Sequence, residues 1–287
     1  MIDLQLHTND SDGTWSWTHV LEKCLDMNLS AFAITDHDTI VRRNDILGWA
    51  KANDAMAIPG IELSTCESDQ TIHLLGYFLD GPLENLESRL EFLREGRLQR
   101  NKKIVGKLQS LGISVTEEDV LKAAGRATVG RPHIARLLMQ KGVVKTMQEA
   151  FDKYLAANGQ AYYPKVELPL REAIDLLHAA GAVTSISHPG LLKRTPEALE
   201  ASLKLWRSWG LDGIEALYPS YSLEQTAFFE RIAWKYDFIR TGGSDFHGEN
   251  KPHIQIGTGN GHLNVPDEFI EPLLKKREEV NRHSGVS

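Results

Sequence analysis

The stretch "DLQLHTNDSDG", residues 3–13, opens as a strand and closes as a polar loop ending in glycine. Leu4 and Leu6 alternate with Asp3, Gln5 and His7, the period of two of a strand whose faces differ. His7 and Asp12 have the chemistry of metal ligands, because imidazole and carboxylate both offer lone pairs to a divalent cation. Gln5 stands where a histidine would complete a His-x-His pair on one strand face.

The same pattern recurs along the chain. "SAFAITDHD" (30–38), "AIPGIELST" (57–65), "TIHLLGYF" (71–78), "AVTSISHPG" (182–190), "GIEALYP" (213–219) and "FIRTGGSDFH" (238–247) are short apolar runs, most of them ending in polar residues. Amphipathic helical patterns over 18–28, 170–180, 196–209 and 223–236 lie between them. This alternation predicts an α/β fold with a mostly parallel sheet, open or closed into a barrel. In such folds the polar residues just past the strands form the active face. His7, His37, Glu62, His188, Asp245 and His247 all fall there, and His73 lies on a strand.

Residues 83–165 break the rhythm with "LENLESRLEFLREGRLQRNKKIVGKLQSLG", "TEEDVLKAAG", "RPHIARLLMQKG" and "MQEAFDKYLA", all helical in pattern. Leu83, Leu86, Leu90, Leu93 and Leu98 fall roughly on one helical stripe. Arg94, Arg97, Arg100, Lys102 and Lys103 read as a solvated helix face. The expected organisation is a barrel domain of residues 1–82 and 166–287 with an all-helical insertion at 83–165.

The 287 residues are 41% hydrophobic and 25% charged, enough for a sizeable core. A net charge of -7 argues against a broad basic face for duplex nucleic acid. No apolar run approaches the ~20 residues of a membrane-spanning helix. "MIDLQLHT" begins on strand pattern without a basic-then-apolar leader, and the two cysteines, Cys24 and Cys66, imply no disulfide framework. A cytoplasmic protein with no membrane partner is therefore expected; the sequence does not address its oligomeric state.

Imidazole and carboxylate donors without thiolate suit zinc, manganese or ferrous iron. The donors outnumber what one ion can use, and a carboxylate such as Glu62 can bridge two ions ~3.5–4 Å apart, as in displacement at phosphorus. Such ions would lower the pKa of bound water and supply hydroxide near neutral pH.

In this order, "DLQLHTNDSDG", "ITDHD", "GIELS", "IHLLGY", "ISHPG" and "GSDFHG" resemble the motifs of the polymerase-and-histidinol-phosphatase (PHP) family. The insertion with "GRPHIARLL" followed by "AFDKYL" is similar to one subgroup. That subgroup removes phosphate from nucleoside 3′,5′-bisphosphates and shortens small oligoribonucleotides from the 5′ end. The resemblance implies a distorted seven-stranded β/α barrel holding two or three divalent ions (manganese, zinc or iron) at its strand ends. It places Gln5, His7, Glu62 and Asp245 around the first metal, Glu62, His73 and His188 around the second, and Asp12, His37 and His247 around the third. Gln5 departs from the family's usual histidine, and an amide oxygen is the poorer donor to zinc-like ions. Arg131 and His133, with Pro132 at a helix start, match residues that face the metals in the family. Lys165 and Arg194 are further candidates for phosphate contact, and His188, Asp245 and Arg131 are the candidate catalytic groups. Asp36 and Asp38 flank His37, and one of them is placed to orient it; Trp15 and Trp17 read as packing, and Glu215 as structural or as orienting a ligand. The expected substrate is a small phosphorylated metabolite, a nucleotide or short RNA. The alternatives are a phosphatase of the histidinol-phosphate type and a degenerate barrel acting as a binding or scaffold module.

Overall fold

Strand β1 (Ile2–Leu6) is buried along its whole length, so its polar residues are as enclosed as its apolar ones. The chain continues through α1 (Trp17–Asp26), β2 (Ala31–Ile34), α2 (Arg43–Ala52), β3 (Ala57–Glu67) and β4 (Gln70–Tyr77). Four helices follow: α3 (Glu84–Ser110), α4 (Glu117–Ala124), α5 (Arg131–Gln140) and α6 (Met147–Ala150), the last running into a π-helical turn, Phe151–Leu155. Then come β5 (Leu168–Pro169), α7 (Leu170–Ala179), β6 (Val183–Ile186), α8 (Pro196–Ser208), β7 (Gly213–Leu217), α9 (Leu223–Tyr236), β8 (Ile239–Gly242) and α10 (Ile270–Ser284). This computed structural model describes residues 1–68, 70–124 and 130–284. Asp69 and residues 125–129 and 285–287 lie outside them, Gly125 being the last residue of the "TEEDVLKAAG" stretch considered above.

Seven strands form the sheet in the order β1-β2-β3-β4-β6-β7-β8, with the two-residue β5 beside β3. Past β8 the chain returns to β1: His7 N donates to Phe246 O and Asp245 N to Gln5 O, each at 3.0 Å. The sheet is thus a nearly closed barrel. Every neighbouring pair on the path is parallel except those involving β4, which runs against both β3 and β6. This reversal matters for His73. It sits near the beginning of β4, opposite Ser64 in the later part of β3, so it lies at the end where the parallel strands finish. Glu62 likewise lies inside the eleven-residue β3 and not beyond it.

Local signals fix the loops at that end. Ser222 and Gln225 close a capping box on α9, Gln225 N donating to Ser222 Oγ (3.1 Å) and Ser222 N to Gln225 Oε1 (3.0 Å). Thr195 caps α8 by accepting from Ala198 N, with Pro196 at the first helical position. On β2, Ala31 and Ala33 join one apolar cluster with Ile2, Leu4 and Val265, while Phe32 and Ile34 join another with Val20, Leu21 and Ile46 of α1 and α2. Alternation thus carries core to both faces, as a parallel strand covered by helices requires.

Two compact units make up the chain: Met1–Ser88 with Leu168–Ser287, and Arg89–Glu167. The second is all helical around Ile104, Leu108, Ile134, Leu138 and Leu155. The charge run on α3 is not uniformly solvated. Arg100 is buried in this unit, because its Nε donates to the carbonyl of Tyr163 at 2.8 Å. Among the described residues no helix is long and apolar enough to cross a membrane.

Candidate metal and active site

Glu62 is fully buried and its carboxylate collects imidazoles from four separate segments. His73 Nδ1 lies 2.9 Å and His188 Nε2 3.2 Å from Oε1; His7 Nε2 lies 3.0 Å and His37 Nδ1 3.7 Å from Oε2. Asp12 makes a second focus, with His247 Nε2 at 3.2 Å, His37 Nε2 at 3.8 Å and His7 Nδ1 at 3.9 Å. Asp245 makes a third, its Oδ1 3.4 Å from both His7 Nε2 and His247 Nδ1. The rings of His7 and His247 stack with centroids 4.1 Å apart.

Three sets of donor atoms lie within 4.8 Å of one another: His7, Asp12, His37 and His247; His37, Glu62 and His73; and His7, Glu62 and Asp245. The strand ends therefore bring together His7, Asp12, His37, Glu62, His73, His188, Asp245 and His247. The grouping differs in detail, because His37 joins the set expected to contain His188, and His7 joins the set of Asp12. Among the described residues neither ring nitrogen of His7, nor Nδ1 of His37, has an aligned hydrogen-bond partner, although these atoms are buried. Buried nitrogens with unused lone pairs beside carboxylates fit divalent cations.

Electrostatics agree with that fit. Burial would raise the carboxyl of Glu62, but His37 and His73, with contacts from His188 and His7, outweigh it and hold the group ionised. Asp12 is likewise drawn down against burial by His247, His37 and His7. Burial lowers the basicity of His7, and the neighbouring imidazoles lower it further, leaving its lone pairs available.

Several groups around these donors set their positions. Asp36 accepts from Thr8 N (2.7 Å), Thr8 Oγ1 (2.7 Å) and Ser11 Oγ (2.5 Å), so it shapes the loop that carries Asp12. Asp38 accepts from Ser64 N on β3 at 2.8 Å. Glu215 accepts from His188 N at 2.6 Å. His188, Asp245 and Asp38 themselves have left-handed backbones, with φ of 34°, 55° and 53°. Gln5 donates from Nε2 to Glu62 Oε2 (3.0 Å) and Ser187 Oγ (2.9 Å), while its Oε1 is buried without a partner among the described residues. It thus sits among the donors. Trp15 packs edge-on against Phe246, and Trp17 lies under the guanidinium of Arg42.

Two residues were not singled out from the sequence. Tyr218 Oη donates to Asp245 Oδ2 at 2.7 Å, and Lys251 Nζ bonds the same oxygen. Tyr218 follows β7, where a polar tip was foreseeable; Lys251 lies in an irregular segment and carried no signal.

The phosphate-contact candidates divide. Arg194 has its guanidinium engaged by Gln70 Oε1 (2.9 Å), Glu67 and Ser202, above the ring of Trp206. That internal network, not an open phosphate site, is what the structure gives it. Arg131, His133 and Lys165 belong to the helical unit. Arg131 starts α5, donates to Leu155 O at 3.1 Å and lies over Phe151. His133 Nδ1 accepts from Gly130 N at 3.1 Å, and Lys165 lies 3.4 Å from Glu167.

No family model matches the chain. It is 28% identical over 278 residues to a 3′,5′-nucleoside bisphosphate phosphatase of Chromobacterium violaceum, covering 96% of each. It is 30% identical over 245 residues to a 5′-3′ exoribonuclease of Haemophilus influenzae, covering 85% of this chain and 89% of that one. The solved structure of a protein described as a metal-dependent phosphoesterase, from Bifidobacterium adolescentis, superposes with a TM-score of 0.81 at 30% identity, over 96% of each chain. With the barrel and its cluster of imidazoles and carboxylates, these likenesses show that the chain belongs to the PHP family of metal-dependent phosphoesterases and is a hydrolase of phosphoester bonds.

Proposed function

We propose that the enzyme removes phosphate from nucleoside 3′,5′-bisphosphates and shortens short oligoribonucleotides from the 5′ end, using two or three divalent ions of manganese, zinc or iron. The observation that carries this reading is the convergence of His7, His37, His73 and His188 on the buried carboxylate of Glu62. The kinship with a bisphosphate phosphatase and an exoribonuclease supplies the substrate class.

His7, Glu62 and Asp245, with Gln5, would hold one ion; Glu62, His73 and His188 a second; Asp12, His37 and His247 a third. When bound, divalent ions supply an activated water and neutralise charge on the phosphoryl oxygens. The protein's own groups do the rest. Tyr218 and Lys251 fix Oδ2 of Asp245, leaving Oδ1 toward His7 and His247 to orient and deprotonate the attacking water. As the water oxygen bonds to phosphorus the ester P–O bond breaks, and the leaving oxygen takes up the proton that Asp245 received from the water. Glu215 holds the His188 backbone in its left-handed turn, with the ring beside Glu62. Arg131 and His133 bind phosphoryl oxygens, Arg131 through a fork suited to two of them. Lys165 adds positive charge.

Turnover of nucleoside 3′,5′-bisphosphate, nucleoside monophosphate, a short oligoribonucleotide and histidinol phosphate, measured with manganese, tests the reading. The bisphosphate should be hydrolysed well, the monophosphate poorly and histidinol phosphate hardly at all. Equal kcat/KM for bisphosphate and monophosphate would refute the assignment.

A further inference from the structure

Lys251 brings a positive charge into a cluster otherwise made of imidazoles and carboxylates. It directly follows the short turn Gly248–Asn250 that leaves His247, and its N donates to Gly248 O at 3.0 Å. Its Nζ bonds Oδ2 of Asp245, the oxygen that also accepts from Tyr218 Oη at 2.7 Å. Oδ2 is therefore engaged by the protein's own donors, and Oδ1 faces His7 and His247 at 3.4 Å from each.

The ion expected between His7, Glu62 and Asp245 draws on that same carboxylate, and Gln5 does little to help it. Gln5 contributes no charge, and the atom it turns toward Glu62 is Nε2, 3.0 Å from Oε2. A carboxylate only accepts, so the amide beside it presents hydrogens, and the same nitrogen bonds Ser187 Oγ at 2.9 Å. Glu62 would also be shared with the ion on His73 and His188, whose rings lie 2.9 and 3.2 Å from its Oε1. Of the side chains gathered at the strand ends only Asp12, Glu62 and Asp245 are anionic. Three divalent ions would bring twice the positive charge that these balance, before Lys251 is counted. An ion on Oδ1 of Asp245 and the ammonium on Oδ2 would compete for one negative charge at close range.

We propose that Lys251 is a tethered cation that supplies the positive charge at Asp245 in place of a divalent ion. This chain then works with two ions, one on Glu62, His73 and His188 and one on Asp12, His37 and His247. The proposal rests on the phosphoesterase reading and narrows its ion count. It also keeps Oδ1 of Asp245 free of metal, as its part in deprotonating the attacking water requires.

The test titrates wild type, Lys251→Met, Lys251→Arg, Gln5→His and Tyr218→Phe with manganese and counts bound ions per chain by elemental analysis, without substrate. Wild type should saturate at two. Lys251→Met should take a third ion at least about tenfold more tightly than any third ion in wild type, the scale of groups that tune a metal site from outside it. Lys251→Arg keeps the charge and should stay at two. Gln5→His should move the third ion in the same direction as Lys251→Met, because imidazole is the better donor. Tyr218→Phe removes a bond to the same oxygen but no charge, and should leave the count at two. A third manganese in wild type at concentrations that support full turnover would put Gln5 Oε1 in the coordination sphere and overturn the proposal. A count of two in Lys251→Met with an unchanged Tm, or a third ion in Tyr218→Phe, would overturn it as well. Should Lys251→Met not fold, the wild-type count decides, two ions upholding the proposal and three overturning it. Wild type that binds two ions yet hydrolyses neither nucleoside 3′,5′-bisphosphate nor oligoribonucleotide would instead overturn the activity assigned above.

Discussion

Asp36 touches no expected metal donor, yet it should govern one of the donor groups. Its carboxylate is 3% exposed and accepts three hydrogen bonds from Thr8 and Ser11, which flank the entry to Asp12. In Asp36→Ala all three are lost and the buried Thr8 N–H has no acceptor. Hydrogen bonds to a charged group contribute about 1.5–3 kcal/mol each and are not additive, so a loss of about 3–5 kcal/mol is expected. For a chain of this size about 1 kcal/mol lowers Tm by roughly 2–4 °C, which places the variant about 10 °C below wild type. With the loop released, Asp12 no longer meets His247 and His37 at a fixed distance. Loss of such an orienting partner costs about ten- to a hundredfold in metal affinity or activity. Asp36→Asn is the informative control. Its one carbonyl oxygen can still accept from Thr8 N and Ser11 Oγ, and the Thr8 hydroxyl can turn to accept from the amide. It should lose about 1 kcal/mol and only a few-fold in metal affinity. Thermal unfolding with manganese titration measures both quantities. If Asp36→Ala keeps the Tm and manganese affinity of wild type, the loop is held by something other than Asp36 and the reasoning fails.

Asp12→Ala should lower turnover by orders of magnitude with little effect on Tm, because its side chain is 47% exposed; unchanged turnover would make Asp12 an ordinary turn residue. Gln5→His should raise metal content after dialysis, since imidazole is the better donor to zinc-like ions; unaltered content and metal dependence would place Gln5 outside the coordination sphere. Burial pushes the Cys24 thiol far above its ordinary value, so in a Cys66→Ser background a thiol reagent should label nothing until the chain unfolds. Rapid labelling of the native protein would contradict that. Burial alone would raise the Asp80 carboxyl, but Arg277 and Asn281 hold it below its usual range. Its folded pKa being the lower one, the stabilisation is present above about pH 4 and fades as pH falls further. Arg277→Met should cost about 1 kcal/mol at neutrality, given partial exposure of the pair, and flatten that acid limb. An identical pH profile of Tm in both proteins would argue against the linkage.

The barrel was legible because its strands are short, apolar and separated by helices of clear period. What periodicity did not reveal was direction. "TIHLLGYF" looks like its neighbours, and only pairing with β3 and β6 shows that it runs the other way. The side chains that meet at the site were readable because histidines and acids cluster at strand ends, a local property. Which donors share a focus was not, because His37 reaches both Asp12 and Glu62 through side-chain geometry. Arg100 misled for a related reason. On α3 it sits within a run of charged residues, and burial depends on Tyr163, 63 positions away in the chain. Lys251 was invisible because the loop holding it has no period to break.

His188, Asp245 and Asp38 occupy backbone conformations that side chains of ordinary handedness avoid, at roughly 1–2 kcal/mol each. Glycine would fit all three positions with less strain, so a search for heat-resistant variants guided by stability alone would be drawn to them. The gains would come at residues that the proposed function places at the ions or beside them. Any programme to harden this protein should therefore leave these turns untouched and work on distant surfaces, such as the outward faces of α9 and α10.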